Sequence, residues 1–104
     1  MVRIPTHRKP THPGEILLEK FLLPMGITQR ELSRATHVPY QRVNEIVNKR
    51  REVSPSTALR LAIFFGMSED FWLSLQLRWD LYRAKQADAR ELICNTILVI
   101  RFLL

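Results

Sequence analysis

The stretch TQRELSRATHVPYQRVNEIVNKRR, residues 28–51, decides how this chain is expected to fold. Thr28 is followed three residues later by Glu31, a spacing typical of the capping box that starts a helix. A second helix is expected from Pro39. Its buried stripe has the i, i+3, i+4 spacing of one helix face and consists of Val43, Ile46 and Val47. Because only the three residues THV separate the two runs, the stretch predicts two short helices joined by a tight turn.

The side chains around this turn indicate how the two helices meet. Leu32 and Ala35 are expected to face inward from the first helix, and Ser33 is small enough for a close approach. The turn itself needs a residue that tolerates a positive φ. His37 occupies that position, and histidine is enriched there among residues other than glycine.

Two helices joined in this way match the helix-turn-helix unit, in which the second helix lies in the DNA major groove. The second helix here keeps a broad polar face, and Gln, Asn and Arg side chains can make bidentate hydrogen bonds to base edges. The residues predicted to contact bases are Tyr40, Gln41, Arg42 and Asn44.

Phosphate contacts are expected on either side of this face. The free N–H groups at the start of the first helix favour an anion, and the basic run after the second helix lies where the DNA backbone would pass. The residues predicted to contact phosphates are Thr28, Gln29, Asn48, Lys49, Arg50 and Arg51.

The rest of the chain predicts an all-α domain of five short helices. Residues 1–12 are read as a flexible basic arm because prolines interrupt them, and residues 13–86 as the helix-turn-helix domain. The first helix is expected from Pro13 to near Pro24. The fourth is expected to start at Ser54 and end at Gly66, and the fifth to start at Ser68.

Charge and composition favour a polyanionic partner. The chain has 104 residues, enough for one small domain, and a formal net charge of +6. Residues 1–51 carry ten Lys or Arg and four Asp or Glu, whereas residues 52–104 carry six of each. The excess positive charge therefore lies entirely in the half that contains the predicted DNA-binding unit, which makes nucleic acid the first expected partner and an anionic membrane the second.

Other classes of protein receive little support. No secretory signal is visible, no apolar run approaches the about 20 residues of a membrane span, and the single Cys94 fits a reducing compartment, so a cytoplasmic protein is expected. His7, His12, His37 and Cys94 match no zinc-ligand spacing, and no phosphate loop or nucleophile motif occurs. We expect neither an enzyme nor a cofactor or metal.

Four features resemble the XRE-type (λ-repressor-like) DNA-binding proteins, and within them the HigA-type antitoxins. They are the segments HPGEILLEKFLLPMGIT, RVNEIVNKRREVSPSTALRLAIFFG and SEDFWLSLQ, together with the order of the five helices. The resemblance covers about residues 12–86. It implies a dimeric repressor of its own operon that also binds and silences a toxin, usually an mRNA-cleaving ribonuclease. His37 departs from the glycine usual in this family, and the end ELICNTILVIRFLL departs from its charged tails.

The C-terminal half carries more apolar residues than one buried face requires. Eight of the twelve residues from Phe71 to Tyr82 are apolar, which indicates a second contact, most simply with another copy of the chain. The predicted dimer contacts are Phe71, Trp72, Leu75, Trp79 and Tyr82. The apolar tail, residues 87–104, is left open as a helix, a strand paired across the dimer, or a surface for a partner.

Three functions remain open from the sequence. The first is a repressor that binds an inverted-repeat operator as a dimer and neutralises a toxin. The second is a stand-alone XRE-type regulator without a toxin. The third is a protein-interaction module that uses the apolar C-terminal half.

Overall fold

A computed structural model describes residues 9–103 of the chain, and their side chains as far as residue 89. Five helices follow one another, and no strand occurs in this part of the chain, so the predicted all-α class is confirmed. We number them α1, which comprises the consecutive segments Pro13–Ile16, Leu17–Leu22 and Leu23–Met25, α2 (Gln29–Thr36), α3 (Tyr40–Val47), α4 (Pro55–Phe65) and α5 (Asp70–Leu103). Residues 1–8 of the expected flexible arm lie outside the described residues.

Helix α1 begins and ends where the sequence predicted it, but the residue that caps it was assigned to the arm. His12 was placed in the arm, yet it is buried and its Nδ1 accepts a hydrogen bond from the Gly14 backbone N–H at 2.9 Å. The middle of the helix, Leu17–Leu22, is a wider π-helical segment. The predicted end near Pro24 is confirmed to within one residue, because α1 continues to Met25 and stops at Gly26, whose φ is 66°.

Helices α2 and α3 form the predicted pair. The Thr28 hydroxyl accepts a hydrogen bond from the Glu31 N–H at 3.1 Å, as expected of an N-cap. The stripe predicted for α3, Val43, Ile46 and Val47, is buried. Ala35, however, is exposed, which contradicts the inward position predicted for it.

Thr36 takes the buried position instead of Ala35. Its hydroxyl donates a hydrogen bond to the Leu32 carbonyl at 2.7 Å, one turn earlier. The polar group therefore enters the core with its hydrogen bond already satisfied.

Helix α4 follows the prediction, and α5 is longer than predicted. Ser54 caps α4 by accepting from the Thr57 N–H, and Gly66 ends it with φ 66°. Helix α5 begins at Asp70, two residues after Ser68, and runs without a break to Leu103. The backbone of the tail is thus helical over residues 87–103, which excludes the strand that the sequence left open.

The core lies where α1, α4 and the first turns of α5 meet the helix-turn-helix unit. Trp72 is fully buried at its centre, and Phe21 of α1 lies 5.3 Å from it between ring centroids. Phe65 and Phe71 complete this aromatic group. The buried residues of α2 and α3 belong to the same core, so the α2–α3 unit packs on this group.

Candidate nucleic-acid interface

The turn between α2 and α3 is fixed by burial and by one side-chain hydrogen bond. Val38 in the turn is buried, and its carbonyl accepts a hydrogen bond from the Ser33 hydroxyl at 2.5 Å. His37 has φ 55° and ψ 35°, the left-handed conformation that the sequence predicted for this position. The linking residues are His37, Val38 and Pro39, one residue later than the predicted THV, because Thr36 belongs to α2.

Helix α3 also packs closely against the start of α1. A Cβ atom placed on Gly14 would lie 1.7 Å from the carbonyl oxygen of Ile46, so the two backbones are in direct contact at this point. Glycine is the residue that permits such an approach. The HPG segment at the start of α1 therefore sets the depth at which α3 sits.

The N-terminal end of α3 presents the predicted base-contacting residues to different extents. Gln41 is exposed, and Tyr40 is 42% exposed with the Arg30 guanidinium 4.8 Å from its ring centroid. Arg42 and Asn44 are half-buried. Gln41 is thus the glutamine or asparagine of this face that is freest to reach a base edge.

Asn44 is already engaged with α2. Its Nδ2 donates a hydrogen bond to Oε1 of Gln29 at 3.0 Å, which joins a predicted base contact to a predicted phosphate contact. The Nδ2 of Asn48 donates to the Asn44 carbonyl at 2.9 Å. The structure therefore brings these three residues into one chain of hydrogen bonds along the interface.

The basic loop, Lys49–Arg51, begins with a feature that the sequence did not reveal. Lys49 has φ 62°, and the Arg50 N–H donates to the Glu45 carbonyl at 2.8 Å. The same closing pattern follows Gly26 and Gly66, where glycine makes it easy to recognise. A lysine at this position gave no such signal.

All three cations of the basic loop are exposed, as a phosphate-contacting loop requires. Lys49 Nζ lies 3.7 Å from a Glu15 carboxylate oxygen, and an Arg51 guanidinium nitrogen lies 3.5 Å from one of Glu45. Exposed pairs of this kind contribute only about 0–1 kcal/mol, so both cations can exchange these partners for a phosphate. Arg50 makes no ion pair with any described residue.

A polar cavity of about 240 Å³ separates the basic loop from α5. It is lined by His12, Lys49, Arg50, Arg51, Glu52, Gln76, Trp79, Asp80 and Arg83. Burial lowers the pKa of His12 below the usual histidine value, and the positive charge of Lys49 lowers it further. The neutral imidazole also suits the cap, because Nδ1 must be unprotonated to accept the Gly14 N–H.

One of the five predicted dimer contacts on α5, Trp72, needs correction. Trp72 is fully buried within the chain, so it has no surface to offer a partner. Phe71 and Leu75 are half-buried and pack against the core. Trp79 and Tyr82 are also half-buried, and Trp79 contacts the ring of His12 edge-on at 5.1 Å between centroids.

The sequence missed the apolar stripe that is exposed on α5. Leu73, Leu77 and Leu81 are 36%, 59% and 48% exposed, and their spacing of four residues places them on one side of the helix. Trp72 and Gln76, which are buried, lie on an adjoining side of the helix. The surplus of apolar residues noted in the sequence is therefore divided between the core and this leucine stripe.

Neither metal binding nor membrane insertion finds support in the described residues. No group of three or more His, Cys, Asp or Glu side chains there is arranged to hold a metal ion. None of the helices in residues 9–103 combines the length and hydrophobicity needed to cross a membrane. His7 and the side chain of Cys94 lie outside the described part of the structure.

Comparison with known families identifies the unit. The HTH_3 helix-turn-helix family matches residues 18–72, which include all of α2, α3 and α4. The chain belongs to the HTH_3 (XRE-type) helix-turn-helix family. It is a DNA-binding regulator of the HigA-like antitoxin type, and its family consists of DNA-binding antitoxins and transcription regulators.

Similar proteins from several bacteria align with most of the length of this chain. Virulence-associated protein I of Dichelobacter nodosus is 47% identical over 75 residues, which cover 72% of this chain and 69% of that protein. Antitoxin HigA-1 of Vibrio cholerae is 38% identical over 86 residues, which cover 83% of this chain and 81% of that protein.

Two solved structures with the HTH_3 fold contain DNA. The Pseudomonas aeruginosa antitoxin HigA with the higBA promoter gives a TM-score of 0.78 at 38% identity and covers 80% of this chain and 90% of that one. The antitoxin GraA in complex with its operator gives a TM-score of 0.80 at 40% identity and covers 89% of this chain and 92% of that one. The resemblance to HigA-type antitoxins expected from the sequence is thus confirmed.

Proposed function

We propose that this chain is a sequence-specific repressor that binds an operator in its own promoter as a two-fold dimer. The observation that carries the proposal is that Gln41 is exposed to solvent at the N-terminal end of α3. A glutamine amide can donate to and accept from the edge of adenine at once. HigA of Pseudomonas aeruginosa with its promoter and GraA with its operator support the same use of this fold.

Phosphate contacts on both sides of α3 orient it in the groove. The exposed basic loop provides three cations at one end, and the N-terminus of α2 beside Thr28 provides backbone N–H groups at the other. Such contacts supply affinity and fix the register without reading sequence. The polar end of α3 then supplies the choice of site.

Dimerisation follows from the size of the site. One recognition helix covers too few base pairs, and proteins of this kind place two helices on half-sites about 34 Å apart. The leucine stripe Leu73, Leu77 and Leu81 is the contact that we propose, in place of the buried Trp72. It lies on α5, outside residues 28–51, which contain the predicted DNA contacts, and an inverted-repeat operator is expected.

Toxin neutralisation is the second part of the proposal. Antitoxin HigA-1 of Vibrio cholerae and the solved antitoxins support it, and an mRNA-cleaving toxin is the expected partner. The alternative is a transcriptional regulator without a toxin. YbaQ of Escherichia coli, which is 40% identical over 78 residues, is an uncharacterized HTH-type transcriptional regulator. Co-expression with a small basic protein encoded directly beside this gene separates the two, since only an antitoxin should rescue growth and co-purify with it.

Operator binding is tested by a footprint on the DNA upstream of the gene that encodes this chain. We expect protection of an inverted repeat whose half-sites are one helical turn apart, and no protection would contradict the proposal.

Sedimentation of Leu77→Glu tests the dimer, with Leu23→Glu as the matched control because Leu23 is a 67% exposed leucine on α1. The proposed contact predicts that only the Leu77 variant becomes monomeric.

A further inference from the structure

Gln76 is a buried polar side chain that is not among the residues predicted to contact DNA. It lies on α5 in the segment FWLSLQ and is 6% exposed. Its Oε1 accepts a hydrogen bond from the backbone N–H of Val53 at 2.8 Å, across 23 residues of sequence. A buried amide joined to a distant backbone group is a fixed connection between two elements.

The Val53 N–H is the point at which the segment after α3 is attached to α5. The backbone bonds that close α3 end with the Arg50 N–H, and the next backbone bond within the described chain is formed by Ala58 to the Ser54 carbonyl. Between them, the Val53 side chain is buried and its N–H is bound by Gln76. Arg51 lies only two residues before this attachment.

Asp80 determines which way the Gln76 amide points. The Nε2 of Gln76 donates to Oδ1 of Asp80 at 2.9 Å, one turn further along α5. An ionised carboxylate can only accept hydrogen bonds, so the NH₂ group must face Asp80 and the oxygen must face Val53. Gln76 and Asp80 also line the same cavity as Lys49, Arg50 and Arg51.

We propose that Gln76 is a positioning residue for DNA binding, which holds the basic loop Lys49–Arg51 in place by bonding Val53 to α5. The leucine stripe proposed for the dimer lies on the same helix, so Gln76 also fixes the distance between the dimer axis and the phosphate-contacting loop. This inference rests on the proposed operator binding. Gln76 would then contribute to DNA binding through the position of the loop, without contacting a base itself.

Binding titrations at several salt concentrations test the proposal. Gln76→Leu removes the acceptor, and each lost phosphate contact lowers the slope of log K against log salt by about 0.9. We expect the slope to fall by about one unit or more on operator and random duplex alike. Gln86→Leu, an exposed glutamine on the same helix, is the matched control. A loss of stability alone would lower the folded fraction without changing this slope.

A charge-neutral double variant keeps the test decisive if Gln76→Leu folds poorly. Gln76→Glu keeps the acceptor for Val53 but sets two carboxylates side by side, and Asp80→Asn restores a donor to that pair. We expect Gln76→Glu to lose slope and Gln76→Glu with Asp80→Asn to regain it. A wild-type slope in both Gln76→Leu and Gln76→Glu, or no recovery in the double variant, would overturn the proposal.

Hydrogen exchange separates this proposal from the proposed function. The Val53 amide should exchange slowly in the wild type and much faster in Gln76→Leu, with or without DNA. Equal exchange of the Val53 amide in the two proteins would overturn the attachment itself. Wild-type protein that bound no duplex, despite slow Val53 exchange, would instead contradict operator binding.

Discussion

The Nδ2 of Asn44 donates a hydrogen bond to Oε1 of Gln29 at 3.0 Å, so the recognition helix and the helix that braces it meet through two residues expected to touch DNA. A DNA-bound Asn44 and a DNA-bound Gln29 are therefore not independent. The two side chains orient each other, as residues joined in one hydrogen-bond network do.

A double-mutant cycle on the operator measures this coupling. We expect Asn44→Ala to weaken operator binding by roughly 1–3 kcal/mol and Gln29→Ala to weaken it as well, and the double variant to lose less than their sum by about 0.5 kcal/mol or more. Isothermal titration on one duplex provides the four affinities. Strictly additive losses would show that the bond seen here is replaced by separate contacts in the complex.

Gly14 should be the least replaceable glycine of the chain. Gly14→Ala places a Cβ atom 1.7 Å from the Ile46 carbonyl oxygen, so α1 and α3 must separate, at a cost of about 3 kcal/mol of unfolding free energy. Gly26→Ala is the control, because its Cβ meets open space and only the φ of 66° penalises it, by about 1 kcal/mol. Urea unfolding of both variants checks the order. Equal losses would mean that the close approach is easily relieved.

His37→Gly should stabilise the turn. A residue with a Cβ atom at φ 55° is strained by about 1–2 kcal/mol, and glycine relieves this strain. Glycine also loses more conformational entropy on folding, which offsets part of the gain. The free energy of unfolding should therefore rise by about 0.5–1 kcal/mol. His37→Ala keeps the Cβ atom and should show no gain. If the two variants have the same midpoint in urea, the conformation at this position carries no strain.

Acid should weaken the fold through His12. Because the folded state lowers its pKa, the unfolded chain takes up this proton at a higher pH than the folded chain. The stability that the neutral side chain provides is full above about pH 6.5 and is lost as the pH falls through that value towards the lower folded-state pKa. His12→Asn keeps a capping acceptor but does not titrate. The dependence of Tm on pH should be flatter in this variant, and an unchanged dependence would exclude His12 as its source.

Much of the fold could be predicted because local signals and burial agree. Thr28 and Ser54 cap their helices as the sequence indicated, and Gly66 ends α4 as expected. Val43, Ile46 and Val47 are all buried. In each of these places the capping chemistry and the apolar spacing require the same structure.

The failures have a common physical origin in contacts that join distant residues. Thr36 replaces Ala35 in the core because a backbone carbonyl satisfies its hydroxyl. Trp72 and Leu77 are both apolar residues of one helix, and only the packing of α5 on α1 and α4 decides which of them is buried. The bond between Gln76 and Val53 spans 23 residues and leaves no periodic trace in the sequence.

Base reading by α3 is tested most directly by the effect of Gln41→Ala on the ratio of operator affinity to random-duplex affinity. Gln41 is exposed at the start of α3, so its loss disturbs no packing in the described core. Fluorescence anisotropy at one salt concentration, with Gln86→Ala as the matched control, provides both affinities. If α3 reads the operator, Gln41→Ala loses roughly 1–3 kcal/mol on the operator and almost nothing on random DNA. Equal losses on the two duplexes would contradict base reading by this helix.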